Sequence, residues 1–496
     1  MRHTYCRSDH SIGRLSRRSP LAACLIATLG LGSSAEPLFA ATTWPVGLCG
    51  DRAGKGGDTL RIAINRAASG DPINLAPLPL TCSTITLGSE IPIAVNYLHI
   101  EGPYTRNVTI DGNHASRVFN HSGSGTLKLS YLSMANGQSS GDGGCVYSKG
   151  SVSLVLASAS GCVAGSRGGA LFTVGNTTLN VSTISGNNAT RDYFPRGTGG
   201  AIYAQANVFA ESSTISNNAA AYTGGVYSLG AISMTNSGVY GNMSHYGGLI
   251  PCAMYASSYL GLTLSVVKGN SGGVCSSNVH LNSVTVSDNN DSDGVKAQAA
   301  TIANSTISGN GDGIDIRVAT GNVAGPLTIS NSTISGNGGS GILAKNAVLD
   351  IKNSTIGFNK NRGIQASLCD LSVTSSIIAH NTYQVPFGST FESDVDASQC
   401  NPSGDHNLIM SSNVPFSLTL SSDPQLMPLG DHGGPTRTHA LLSNSPAIDH
   451  GSNPGNLPDD QRGTGYTRVV GAAADIGAYE RQIGESNDEI FYNGFD

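Results

Sequence analysis

The sequence predicts an all-β chain wound as a single-stranded right-handed parallel β-helix, a solenoid of about a dozen coils. Three observations predict it. The first is composition: 64 Gly, a single Trp and only 12% charged residues in 496 suit many tight turns and short uncharged strands better than helices. The second is a phrase that recurs as Ser182–Asn187, Ser213–Asn218, Ser237–Asn242, Ser265–Asn270, Val284–Asn289, Ser305–Asn310, Ser332–Asn337, Ser354–Asn359 and Ser376–Asn381. Within it a β-branched or apolar residue alternates with small polar ones, the period of a half-buried strand, and the run is too short for a helix. The third is a glycine followed by an apolar residue soon after each Asn, as at Gly200-Ala201-Ile202, Gly225-Val226, Gly294-Val295, Gly313-Ile314, Gly341-Ile342 and Gly363-Ile364. Strand, Asn turn, Gly-led strand and a third apolar stretch such as Leu327-Thr328-Ile329 make one coil of roughly 22 residues.

In chain order, residues 1–40 read as an export signal, because Arg14, Arg17 and Arg18 precede the apolar run Leu21 to Gly32 and small residues follow. Residues 41–84 are expected to form an N-terminal cap. There, after a capping Asp58, Leu60, Ala63, Ile64 and Ala67 fall on one face of a short helix. Such a lid blocks an end that would otherwise template aggregation. Strand signals resume at Pro72-Ile73-Asn74-Leu75, and coils run from Ile85 to Cys400.

Stacked coils place equivalent strands about 4.8 Å apart, so each apolar side chain meets its counterpart above and below. Ile184, Ile215, Ile307, Ile334 and Ile356 therefore belong to one inward stack. The repeated asparagines tolerate left-handed backbone at a turn, and each amide is expected to bond to the Asn one coil away. Leucine-rich repeats and the calcium-binding nonapeptide repeat are set aside, since neither Leu-x-x-Leu-x-Leu nor Gly-Gly-x-Gly-x-Asp recurs.

The net charge is −6, and the signal removes five Arg against two acids, so nucleic acid and anionic membrane are poor partners. No apolar run of about 18 residues remains after the signal, and no transmembrane helix is expected. Eight mature cysteines in an exported chain favour disulfides. Separations of about one coil pair them as Cys49–Cys82, Cys145–Cys162, Cys252–Cys275 and Cys369–Cys400.

Gly199-Gly200-Ala201-Ile202 together with Ser213–Asn218 resembles the passenger repeats of polymorphic outer-membrane proteins. A second resemblance covers 423–480: Asp423-Pro424-Gln425-Leu426, Gly433-Gly434-Pro435-Thr436-Arg437-Thr438, Ser445-Pro446-Ala447-Ile448-Asp449, Asp460-Gln461-Arg462-Gly463 and Asp475-Ile476-Gly477-Ala478-Tyr479-Glu480 look like the choice-of-anchor Q domain. That resemblance implies an extracellular or outer cell surface location. It makes 401–481 a C-terminal capping region and 482–496 a tail, whose end Ile490–Asp496 reads as a sorting signal or as a disordered end.

Chemistry has few places to sit. Aligning coils on Gly294, Gly313, Gly341 and Gly363 puts Lys296, Asp315, Leu343 and Gln365 in one column and Gln298, Arg317, Lys345 and Ser367 two residues on. Lys296, Asp315, Arg317 and Lys345, with Asp312 nearby, form a candidate acid–base cluster. A basic group there would neutralise a uronate carboxylate and ease removal of the α-proton, as in β-helix polysaccharide lyases. The alternative is a ladder of solvated, mutually compensating charges. Asn289, Asp291 and Asp293 precede Gly294 with the alternate oxygen donors of a Ca²⁺ loop, although Asn289 is also a repeat Asn and no distal Glu completes the loop. No other cofactor is implied. The leading functional reading is a non-catalytic, adhesin-like protein whose partner is a polysaccharide or cell-surface component. The alternative is a lyase or glycoside hydrolase acting on acidic polysaccharide, and fold alone does not choose between them.

Overall fold

The computed structural model describes residues 41–51, 58–190, 197–245, 251–317, 324–384 and 388–485. The expected export signal, residues 1–40, and the last eleven residues, with the Ile490–Asp496 stretch, lie outside the described residues.

Each coil is built from short strands that pair in parallel with the coils on either side. In one coil, Val146–Ser148 and Ser151–Val155 belong to a 26-stranded sheet, Ser158–Ser160 to a 15-stranded sheet and Val163–Ala164 to a five-stranded one. The first sheet thus holds two rows per coil, a Gly-led row and a second row. These rows fuse into nine-residue strands at Val274–Asn282 and Val295–Ala303. The second sheet carries the Ser-x-Ile phrase. Its middle residues stack inward as Ile184, Ile215, Val239, Val267, Val286, Ile307, Ile334, Ile356 and Ile378, all buried.

The expected asparagine ladder is present. Nδ2 of Asn187 donates to Oδ1 of Asn218, and the relay continues through Asn242, Asn270, Asn289, Asn310, Asn337, Asn359 and Asn381 at 2.8–3.1 Å. Each backbone N–H shares the same acceptor, as Asn187 N does at 3.0 Å. The expectation that these asparagines occupy the left-handed turn is corrected. Positive φ falls one residue earlier, at Gly186, Asn217, Gly241, Gly269, Asp288, Gly309, Gly336, Phe358 and His380. The turn needs one left-handed residue, which Gly supplies without a Cβ penalty, and the next side chain is then free to bond along the stack.

The first Ser of the phrase builds a second ladder. Backbone N–H groups of Ser182, Ser213, Ser237, Val284, Ser305, Ser332 and Ser354 donate to the Ser Oγ one coil on, at 3.1–3.3 Å. Ser376 N donates to Asn407 Oδ1 at 3.0 Å. The Gly-led row has its own cause: a Cβ at Gly313 would meet Gly341 O at 2.4 Å and Asn337 Nδ2 at 3.0 Å. The next coil and the Asn ladder leave no room for a side chain there.

All four expected disulfides form, with Cα–Cα distances of 5.6 Å for Cys49–Cys82, 5.4 Å for Cys145–Cys162, 6.1 Å for Cys252–Cys275 and 4.4 Å for Cys369–Cys400.

The asparagine ladder ends on a carboxylate. Asp394 is fully buried, its Oδ1 accepts both Asn381 Nδ2 and Asn381 N, and its Oδ2 accepts Ser411 N. Burial pushes its pKa up to about 6, against the bonds that favour the anion. Because the folded state holds the proton more tightly than the unfolded chain, this group's stabilisation is complete below about pH 4 and is lost as pH rises through about 6. The loss amounts to about 3 kcal/mol. Asp394→Asn keeps the Oδ1 acceptor but opposes its amide to Ser411 N–H, at a cost of about 1 kcal/mol. Thermal midpoints of the two proteins should therefore cross as pH is raised from about 4 to about 7, the wild type being the more stable at the acid end and the Asn variant at the neutral end. Parallel curves would contradict this assignment.

At the N-terminal end the helix is Leu60–Arg66, with Leu60, Ala63 and Ile64 buried. Its N-cap is Thr59, whose side chain accepts from Ile62 N, rather than the expected Asp58. Asp58 lies one residue too early and instead pairs with Arg66 at 2.6 Å. Parallel stacking already begins before Ile85, since Trp44–Pro45 pairs with Ile73–Asn74 and Pro72–Asn74 with His99–Glu101.

At the other end, stacking continues to Thr419–Leu420, and Val414 and Phe416 pack against the core. The chain then turns back along the outward face of the second sheet. Thr306 Oγ1 donates to Arg437 O, Thr333 Oγ1 donates to Gln461 Oε1 at 2.6 Å, and Ala478 N donates to Thr355 Oγ1 at 3.1 Å. Apolar contact adds to this, with Ile377, Ala379 and Leu408 clustering with Met427, Leu441, Ile476 and Tyr479. Residues 423–485 therefore brace the side of the last coils.

Candidate functional site

The outward position of the Gly-led row forms one continuous column. From the N-terminal side it reads Tyr147, Phe172, Tyr203, Tyr227, Tyr255, Cys275, Lys296, Asp315, Leu343, Gln365 and Asp396. The five rings stack face to face with centroids 4.8–5.4 Å apart. Arg167, held by Asp142 at 2.6 Å, lies over Phe172 and Tyr203 at 4.8 and 4.9 Å. The ring faces are thus occupied by one another and by a guanidinium, so they stabilise the stack and do not offer platforms for sugar rings. The sequence carried a signal for this column, an aromatic three residues after Gly144, Gly169, Gly200 and Gly224.

Past Cys275 the column becomes charged. The structure places Lys296, Asp315, Leu343 and Gln365 as consecutive partners. The neighbouring column is broken. Lys345 pairs with Ser367, but Arg317 lies beyond the strand Ile314–Ile316 and folds back onto Asp315, with Nε–Oδ1 2.8 Å and Nη2–Oδ2 2.9 Å. Asp315 is nearly inaccessible and also faces Lys296 at 3.5 Å. Lys296 in turn reaches Asp293 at 3.3 Å. Asp312 Oδ1 accepts Ser340 N at 2.6 Å. Burial raises the pKa of Asp293 and Asp312, while the hydrogen bonds that Arg317 donates to Asp315 raise that of Arg317. Lys345 makes no ion pair among the described residues and, with Arg317, Gln365 and Asp396, lines a shallow pocket of about 180 Å³. Asp396 is itself paired with Arg362 at 2.7 Å.

The calcium candidates are not brought together. Asn289 is spent in the ladder, Oδ1 accepting from Asn270 and Nδ2 donating to Val267 O and Asn310 Oδ1. Asp293 is engaged by Lys296, and Asp291 is exposed at the turn. Among the described residues, no group of three or more His, Cys, Asp or Glu is placed to hold a metal ion.

A larger feature escaped the sequence. Between the second sheet and residues 426–439 runs an open groove of about 910 Å³. Its floor is the outward face of four coils, from Val266 and Lys268 to Ser335, and its wall is the Gly434-Pro435-Thr436-Arg437 turn. At its closed end His439 is buried, Nδ1–H donating to Met427 O at 2.7 Å and Nε2 accepting from Ser335 Oγ at 2.8 Å. Burial holds its pKa down to about 4, which keeps the ring neutral.

Residues 292–414 match the family model described as "Right handed beta helix region". The coils are right-handed β-helix repeats. No curated protein matches the chain. Among solved structures, the chain is similar to pectate lyase Pel9A at 14% identity, covering 89% of this chain and 98% of that one with a TM-score of 0.31. It is also similar to the A-module of the Azotobacter vinelandii mannuronan C-5 epimerase AlgE6, at 12% identity, 76% and 98% coverage and a TM-score of 0.32. No helix among the described residues is long and apolar enough to cross a membrane.

Proposed function

We propose that this protein is a non-catalytic solenoid that works outside the cytoplasm and binds glycans or cell-surface polymers. One observation carries the reading: the carboxylates of the charged column are already engaged. Asp315 is held by Arg317 and Lys296, Asp293 by Lys296, and Asp396 by Arg362. A base that must leave two cations before accepting a proton is poorly poised for abstraction. Four disulfides and the basic, apolar leader support export.

A second reading is favoured by Arg317 and Lys345 flanking one pocket beside Gln365. Paired cations at a cleft are what a uronate lyase uses to neutralise its substrate. The test is incubation of the mature protein with pectate, alginate and glycosaminoglycans, with and without calcium. Retention of polymer is expected without unsaturated uronate or new reducing ends. Turnover that disappears in Arg317→Ala or Asp315→Ala would replace the binder by the lyase.

A further inference from the structure

We infer that the groove between the second sheet and the C-terminal segment is a binding site for an acidic oligosaccharide, whose carboxylate or sulfate is held by Arg437. The inference rests on the glycan-binding reading for its ligand class but assigns the outward face of the second sheet rather than the Gly-led row that carries the charged column.

The groove volume, about 910 Å³, lies at the upper end of the usual range for ligand sites, about 300–1,000 Å³. Its length over four coils is about 14 Å at the spacing of stacked strands, which fits several units of an extended chain. The floor offers two hydroxyls from adjacent coils: Thr285 and Ser308 line it without a protein partner among the described residues. The floor strands pair on both sides with neighbouring coils. An extended peptide would therefore find no sheet edge to extend, whereas a hydroxyl-rich polymer can meet the side-chain hydroxyls of Thr285 and Ser308.

Charge selects the acidic member of that class at Arg437, while Asp431, which also lines the groove, accepts from Gly433 N through Oδ1 at 3.0 Å. Lys268 and Asp288 at the open end sit 3.5 Å apart, both half-exposed, and largely offset one another. Arg437 is exposed on the wall, and its guanidinium makes no hydrogen bond or ion pair among the described residues. Its backbone is fixed, because Arg437 O accepts from both Thr306 Oγ1 and Gln461 Nε2. A planar fork on an anchored turn is suited to bidentate capture of a carboxylate or sulfate. Phe358, in contact with His380 and the buried His439, gives the closed end an apolar surface.

The test is calorimetric titration of the full mature chain with tetragalacturonate, with a sulfated chondroitin oligosaccharide, and with neutral cellotetraose. At least one acidic probe is expected to bind better than the neutral one, and the two acidic arms tell carboxylate from sulfate. Arg437→Ala, which leaves the backbone bonds in place, should weaken the acidic probe by about tenfold or more. Ser308→Trp, which fills the floor from an outward position, should abolish it, with an unchanged thermal midpoint certifying the fold. An Arg317→Ala/Lys345→Ala double variant should bind as the wild type does. Binding that survives Arg437→Ala and Ser308→Trp, or that falls only in the double variant, overturns the groove while leaving a glycan binder. Failure of the wild type to retain any saccharide, in titration or in the polymer assays above, overturns both.

Discussion

Replacing Ile307 with Asp is expected to cost about 3–5 kcal/mol of stability. Ile307 is fully buried, with Val286 below it and Ile334 above in the same column. An aspartate at that point has no cation or free donor to meet. The strands that surround it spend their backbone groups on one another, and Asn337 Nδ2 already reaches Ile307 O at 3.3 Å. The protein would either bury an unpaired carboxylate or pull the coil outward and expose the isoleucines of its neighbours. Ile307→Val, which only removes a methylene, should cost about 0.5–1.5 kcal/mol and serves as the control. Because each coil of a solenoid contacts only the next, the damage should centre on the coils of Val286 and Ile334. Urea unfolding followed by far-ultraviolet circular dichroism measures it. A loss below about 1 kcal/mol for the aspartate variant would mean that the stack is wet at this point, contrary to the fold described.

That stack was legible in the sequence because its physics is periodic. A residue that must lie on its own kind in every coil is repeated, and Ile307, Asn310 and Ser305 announce themselves by recurrence. The disulfides were legible for a related reason, since one coil of sequence is one step of translation and brings such cysteines within bridging range. The register of Lys296 on Asp315 followed from aligning glycines whose presence the packing of Gly313 against Gly341 and Asn337 explains. What recurrence did not separate was the division of labour within the phrase. The ladder Asn and the residue before it recur as one unit, and only the backbone reveals that the first, as at Gly186, bends and the second, as at Asn187, bonds. The groove was illegible for a different reason. Its wall meets its floor through single contacts between residues far apart in the chain, such as Ser335 with His439 and Thr333 with Gln461. Neither recurrence nor local pattern marks those pairs. The same holds for the role of Arg317: spacing placed it beside Asp315, but not the fold-back that ties the two side chains together.

Removing Asp460 should detach the C-terminal segment without unfolding the coils. Arg462 and Asp460 are both fully buried, and the guanidinium donates through Nη2 to Asp460 at 2.8 Å and through Nη1 to Glu485 at 2.7 Å. It lies against Tyr466 and Tyr479, 3.9 and 3.8 Å from their ring centres. Asp460 also accepts from Arg462 N and Glu480 N, both at 2.8 Å. Asp460→Ala therefore leaves a buried cation with one carboxylate instead of two, and two backbone donors without their acceptor. Breaking such a pair costs about 3–5 kcal/mol. The residue between them, Gln461, is the bolt to the second sheet: Nε2 donates to Thr306 Oγ1 at 2.8 Å and to Thr436 Oγ1 at 3.0 Å, while Oε1 accepts from Thr333. Loosening Asp460 frees that side chain, so the cost falls on docking of 423–485 and not on the Asn and Ile stacks, whose bonds run from coil to coil. Hydrogen exchange should then rise across 423–485, with the coil-to-coil amides of Thr306, Thr333, Asn218 and Asn242 still protected. The pair's attraction contributes little if Asp460→Ala exchanges like the wild type, and the segment is inseparable from the solenoid if protection is lost uniformly along the chain. Either result would remove the premise that the groove wall is a separately docked element. The expected one makes the wall removable by a single side chain while the charged column on the Gly-led row stays intact.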